Sequence, residues 1–167
     1  MSATFHVQPS TTPARTESHA AGSSGPWTHT AVNLIARGAV RQLQPQSCVA
    51  ACGEMLTDGA VSQPDLIERI GAPASTEDLA QALNTMLDTD AWQWGYFAEP
   101  QDTLACVLRG AMAGLLWVPG ARIGHMVVIE ATESAGGRFR IRDPFDGFSY
   151  DVTEIWIGTF VVAGVFA

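Results

Sequence analysis

Apolar and polar positions change their rhythm about two thirds of the way along the chain. From Cys48 to Leu56 the apolar residues fall at 49, 52, 55 and 56, the spacing of one helical face. Ser47 stands where an N-cap is expected, and Thr57-Asp58-Gly59 supplies a stop. A second helix is predicted over 64–70, with Ser62 or Gln63 at its cap. A third opens at Ser75 with Asp78 three residues on and continues through Leu79, Leu83, Met86 and Leu87. A short helix is expected over 103–109. Beyond it the pattern becomes strand-like, with segments at 113–118, 124–132, 139–142 and 160–166 rich in Val, Ile and Phe. Pro119-Gly120 and Gly136-Gly137 mark turns between them. A helical front half followed by an antiparallel back half predicts an α+β fold without internal repeats. Trp92, Trp94, Tyr96 and Phe97 read as a core strand rather than a substrate-facing wall, and Trp117 reads as core.

Residues 1–26 follow neither rhythm. They are rich in Ser, Thr, Ala, Gly and Pro, and their few apolar side chains cannot offset the entropy of ordering. A disordered leader over 1–26 and one folded domain over 27–167 are therefore expected. The polar start Met1-Ser2-Ala3-Thr4 lacks the apolar stretch of a secretory signal, and no apolar run approaches membrane-spanning length. Synthesis in the cytoplasm is expected, with non-classical export or delivery to another cell left open. A formal charge of −8 argues against a nucleic-acid partner. The cationic residues are all arginine, which suits a GC-rich genome first and a protein that avoids lysine modification second.

Three cysteines, Cys48, Cys52 and Cys106, form no disulfide framework and have no second Cys/His pair at zinc-ligand spacing. No metal or other cofactor is expected. Cys48 opens its predicted helix, where the helix N-terminus favours a thiolate. Cys52 and Cys106 lie on apolar stripes and read as core. After His29 the chain contains one histidine, His125, beside a turn at the start of a strand. That makes it the candidate base, against the plainer role of capping the strand. Asp143 ends the next strand, and a hairpin through 134–137 returns it towards His125. It can fix the imidazole tautomer, although Asp-Pro is also a common turn and Asp146 competes. An oxyanion can be met by the backbone N–H of Cys48 and by a side-chain amide from Gln42, Gln44 or Gln46.

A glutamine six residues before a cysteine, a distant His125-Met126-Val127-Val128-Ile129 strand and then Arg142-Asp143-Pro144 resemble the bacteriocin-processing (double-glycine leader) peptidases of the papain-like superfamily. Ser47-Cys48-Val49-Ala50-Ala51 is also similar to segments of papain-fold domains in bacterial toxins. The resemblance covers roughly 41–167. It implies a papain-like fold with Cys48 as nucleophile, His125 as base, Asp143 as its orienting carboxylate and Gln42 as the oxyanion glutamine. It also implies a short helix at 151–156 before the last strand. The chain departs from the peptidases in reading Ser47-Cys48-Val49 where they carry Asp-Cys-Gly, and it has no transporter segment.

The expected function is amide hydrolysis through an acyl-enzyme thioester on a protein or peptide substrate. One alternative is a papain-fold toxin or effector acting as a glutamine deamidase or transferase, with an immunity or inhibitor protein as partner. A second is a peptide-binding domain that has lost its chemistry. A third is an unrelated α+β module in which the residues align by chance.

Overall fold

In the computed structural model of the chain, the residues described are 34–35, 39–96, 112–116, 124–131, 139–152 and 157–163. The leader at 1–26, the helix expected at 103–109, Cys106, Phe97 and Trp117 lie outside them. Within them the chain is α+β. A short strand β1 (Leu34–Ile35) precedes three helices, α1 (Cys48–Leu56), α2 (Gln63–Ile70) and α3 (Thr76–Met86). Six strands follow: β2 (Trp92–Tyr96), β3 (Met112–Leu116), β4 (His125–Ala131), β5 (Phe139–Asp143), β6 (Phe148–Val152) and β7 (Ile157–Ala163). All pair antiparallel in one sheet, in the order β1-β6-β5-β4-β3-β7-β2.

The helix ends follow their local chemistry. Ser62 Oγ accepts from the Asp65 N–H, Pro64 sits in the first turn of α2, and Gly71 at φ 76° ends it. At α3, Ser75 Oγ accepts from the Asp78 N–H while the Asp78 carboxylate accepts from the Ser75 N–H at 2.8 Å, a reciprocal capping box. Ser47 occupies the cap position of α1 but its side chain does not cap the helix, contrary to expectation. Its Oγ turns back to the preceding residues, accepting from the Gln44 N–H and lying 2.8 Å from the Gln44 carbonyl.

Helix α1 is almost wholly buried, with Val49, Cys52 and Met55 sharing a core with Met126 and Val128 of β4 and Val161 of β7. Leu66 of α2 and Leu79 and Leu83 of α3 close it from the other side. Gly53 permits this approach. A methyl group there would lie 2.5 Å from a Leu66 methyl and 2.7 Å from one of Leu79. Each fully buried leucine contributes about 1.5–3 kcal/mol relative to exposure, so this small contact zone is a main source of cohesion between the helices. Asn84 ties α3 to the sheet by donating to the Trp92 carbonyl and accepting from the Trp92 N–H, both at 2.8 Å.

Several expected boundaries move. The last strand begins at Ile157, earlier than the Val/Phe-rich run suggested, because it pairs with both β3 and β2. Asp151 and Val152, expected in a short helix, belong to β6 instead. There the Asp151 carboxylate accepts from Arg140 Nε at 3.0 Å across the β5–β6 ladder. Residues 153–156 lie outside the described ones. The aromatic run forms β2, as expected of a strand, but Trp94 is 38% exposed and is not core.

Candidate active site

Cys48 is the first residue of α1, and the tight turn before it sets its direction. Ser47 N–H donates to the Gln44 carbonyl, and Gln46 takes φ 69°, the left-handed conformation that reverses the chain. The turn presents the thiol to the start of β4, where α1 packs against the sheet. There the Cys48 sulfur accepts hydrogen bonds from His125 and from the backbone N–H groups of Met126 and Val49.

His125 is fixed by the sheet. Val128 pairs with Arg142, so Asp143 stands one position further along β5, diagonal to His125 across the ladder. His125 Nε2–H donates to Asp143 Oδ1 at 2.6 Å. The other ring nitrogen, Nδ1, is thereby left for Cys48. Asp143 is 2% exposed, and the same oxygen accepts from the Phe145 N–H at 2.8 Å. The carboxylate of Asp146, the competing candidate, accepts from the Phe148 N–H within the β5–β6 turn. Phe145 packs edge-on to the imidazole at 6.3 Å between ring centroids.

Cys48 and His125 shift each other, and Asp143 shifts His125. Burial is the largest influence on Cys48 and raises its thiol, but the hydrogen bond and charge of His125, with the two backbone donors, bring it below its ordinary value. Burial likewise lowers His125. The hydrogen bonds to Asp143 and Cys48 and the charges of both outweigh it and raise the imidazole from 6.5 to about 9. Both shifts favour the charged pair, thiolate and imidazolium, over the neutral one. Cys52, one turn along the same helix, is wholly buried, and burial pushes its thiol well up. Its reading as a core residue holds.

Of the three candidate glutamines, Gln44 and Gln46 are exposed and Gln42 is half-buried. Gln42 N–H donates to the Pro144 carbonyl at 2.7 Å, which docks its loop beside Asp143. Its side-chain Oε1 is buried and has no hydrogen-bond partner among the described residues. Sequence reasoning passed over Gln63, considered only as a helix cap. It is 1% exposed, and its side chain binds the loop that carries Gln42. The backbone donors at Met126 and Phe145 were equally hidden, since any residue type supplies them. Among the described residues no group of three or more His, Cys, Asp or Glu side chains is placed to hold a metal ion, and no helix is long and apolar enough to cross a membrane.

A buried thiol at a helix start, paired with a histidine that a carboxylate orients, is an arrangement suited to thiol chemistry. Comparison with known proteins points the same way: the chain is 28% identical over 145 residues to Cysteine protease effector 1 of Escherichia coli. The match takes in 82% of this chain and 29% of that protein, so the chain spans less than a third of its relative. No family model matches the chain.

Proposed function

We propose that this chain is a papain-like cysteine peptidase domain of an effector, with Cys48 as nucleophile, His125 as acid and base, Asp143 as the orienting carboxylate and Gln42 as an oxyanion donor. The observation that carries the reading is the buried run of hydrogen bonds from Cys48 through His125 to Asp143, closed by the 2.6 Å contact. The likeness to a protein named as a cysteine protease effector supports both the chemistry and the effector role. On this reading the substrate is a protein or peptide, the site of action is another cell, and an immunity or inhibitor protein accompanies it.

The Cys48 thiolate attacks the amide carbonyl carbon, and the carbonyl π electrons move to oxygen. The N–H of Cys48 and the amide of Gln42 receive that oxyanion. As the C–N bond breaks, the imidazolium proton of His125 passes to the departing amine, leaving a thioester on Cys48. Neutral His125 then takes a proton from water, the hydroxide attacks the thioester, and the acid and the thiolate are released while His125 regains its charge. Asp143 keeps Nε2 protonated throughout, so that Nδ1 faces the reaction. The same steps on a glutamine side chain would be deamidation, and the effector likeness makes that the variant to examine beside proteolysis.

A second reading has one observation in its favour. Cys48 is only 6% exposed, as a peptide-binding domain without chemistry would allow. Iodoacetamide labelling of the cysteines, followed by peptide mass spectrometry across pH, separates the two. The peptidase reading expects Cys48 to react fastest, to stay reactive below the pH at which a free thiol loses its thiolate, and to lose that low-pH reactivity in His125→Ala. Equal labelling of Cys48 and Cys52, indifferent to His125, would leave only the binding domain.

A further inference from the structure

The loop at 41–47 contains no helix or strand, yet it must hold Gln42 at a fixed place beside Cys48 if the peptidase reading, on which this inference rests, is correct. Its backbone cannot rely on a ladder of regular bonds. One buried side chain takes over that task. Gln63 Nε2 donates to the Arg41 carbonyl at 3.1 Å, and Gln63 Oε1 accepts from the Leu43 N–H at 2.7 Å. These bonds bracket Gln42 on both sides. The same oxygen lies 3.2 Å from Ser47 Oγ, adjacent to Cys48. The partners also fix which end of the amide is oxygen, because a carbonyl requires a donor and an N–H requires an acceptor. Gln63 is itself anchored to the helix of the thiol, its backbone N–H donating to Glu54 Oε2 of α1 at 2.6 Å.

We propose that Gln63 is a positioning residue for the oxyanion side of the site: its buried amide holds the segment from Arg41 to Ser47 at a set distance from α1 and so places the Gln42 side chain. Buried amides are costly unless satisfied, and an apolar residue at the start of α2 would serve packing alone. An amide that spends both its ends on one loop does something packing does not require. The bond from Gln42 N–H to the Pro144 carbonyl and the close seating of Arg41 on Gly147, 3.3 Å from where a Cβ would stand, hold the loop's opposite side against the β5–β6 turn. Gln63 is the hold on the helix side. Leu43, whose side chain is 65% exposed, gains little from burial to keep the loop in place.

Two reagents separate placement of the oxyanion donor from activation of the thiol. Iodoacetamide alkylates Cys48 by direct displacement of iodide and forms no oxyanion. p-Nitrophenyl acetate acylates it: the thiolate adds to the ester carbonyl, an oxyanion forms, and p-nitrophenolate leaves. In Gln63→Leu the acylation rate of Cys48 is expected to fall about tenfold or more while its alkylation stays within about twofold. Gln42→Ala should show the same split, and the double variant should fall no further than Gln42→Ala alone, because the two changes remove one interaction. Gln63→Glu keeps the acceptor for the Leu43 N–H but sets a second carboxylate oxygen against the Arg41 carbonyl, so its acylation should fall as in Gln63→Leu. An unchanged ratio of acylation to alkylation in a folded Gln63 variant, or losses that multiply in the double variant, overturns the proposal. So does rapid exchange of the Leu43 amide hydrogen in the unaltered protein, a test that needs no variant to fold. If wild-type Cys48 reacts with neither reagent faster than Cys52, the peptidase reading falls and this inference with it. If wild type reacts but ignores Gln63, only this inference falls.

Discussion

The two sides of the site are built by different means. The His125–Asp143 side belongs to the sheet, where the pairing of β4 with β5 fixes their relation through backbone bonds that any sequence in that register would make. The Gln42 side is a loop fastened by particular atoms, the amide of Gln63, the hydroxyl of Ser47 and the carbonyl of Pro144. A sheet tolerates side-chain change and holds its geometry, whereas a loop held by a few polar contacts gives way when one is lost. The contrast teaches where substitutions will be specific. On the proposed function, changes on the sheet side should act on the ionisation of the pair, and changes on the loop side should act on the oxyanion while leaving ionisation alone.

The sharpest test is Asp143→Ala. It removes the largest support for the raised imidazole, so the upper limit of Cys48 reactivity as thiolate–imidazolium, near pH 9 in wild type, should move down towards 6.5. Acylation by p-nitrophenyl acetate should fall by about 10²-fold or more at neutral pH, as loss of an orienting carboxylate does elsewhere. Next in size is Gln42→Ala, expected to slow acylation on the order of 10²-fold with iodoacetamide reactivity and its pH profile unchanged. If both variants altered the pH profile alike, the division between the two sides would collapse.

The pH dependence itself has a definite sign. Cys48 reactivity as an ion pair rises with pH through the lowered thiol value and ends as His125 loses its proton near 9. His125 binds its proton more tightly folded than unfolded. Its contribution to stability is therefore full below about 6.5 and is lost as pH rises through about 9, which thermal melts at pH 6 and 9.5 would read.

Two smaller effects compare the regions as structures. Gly114→Ala places a methyl within 2.7–2.9 Å of Ile157 and Ile129 inside the sheet. Overpacking of this kind costs about 1–3 kcal/mol, visible as a lowered denaturation midpoint. Gln46→Gly relieves the left-handed residue in the loop and should change stability by less than about 1 kcal/mol, with Cys48 labelling unaltered.

The same division governs how much could be read from sequence. The helix over Cys48–Leu56, the capping box at Ser75 and the strands carrying His125 and Asp143 announce themselves through periodicity and turn chemistry, both local signals. The placement of Asp143 beside His125 was legible because the hairpin between their strands needs only one register. Gln63 was not legible. A polar residue at a helix start reads as a cap, and nothing local reveals that it is buried against a loop some 20 residues away. Ser47 misled for a related reason, since its hydroxyl serves the preceding turn rather than the helix it precedes. The short helix over 151–156 came from the resemblance alone, and the pairing that puts Asp151 in β6 opposite Arg140 is not a local signal.

The position of β7 has a consequence for synthesis. Residues 157–163 are inserted between β3 and β2, pairing with both, and Val161 completes the core beneath α1. A ribosome therefore delivers Cys48, His125 and Asp143 before it delivers the strand that joins the sheet's two parts. Until then β2 has no neighbour to bond and the helix of Cys48 lacks part of its floor. The pairing of β7 with β3 and β2 is long-range, of the kind that slows folding. A cell making this protein holds it without a finished site for as long as that strand is missing.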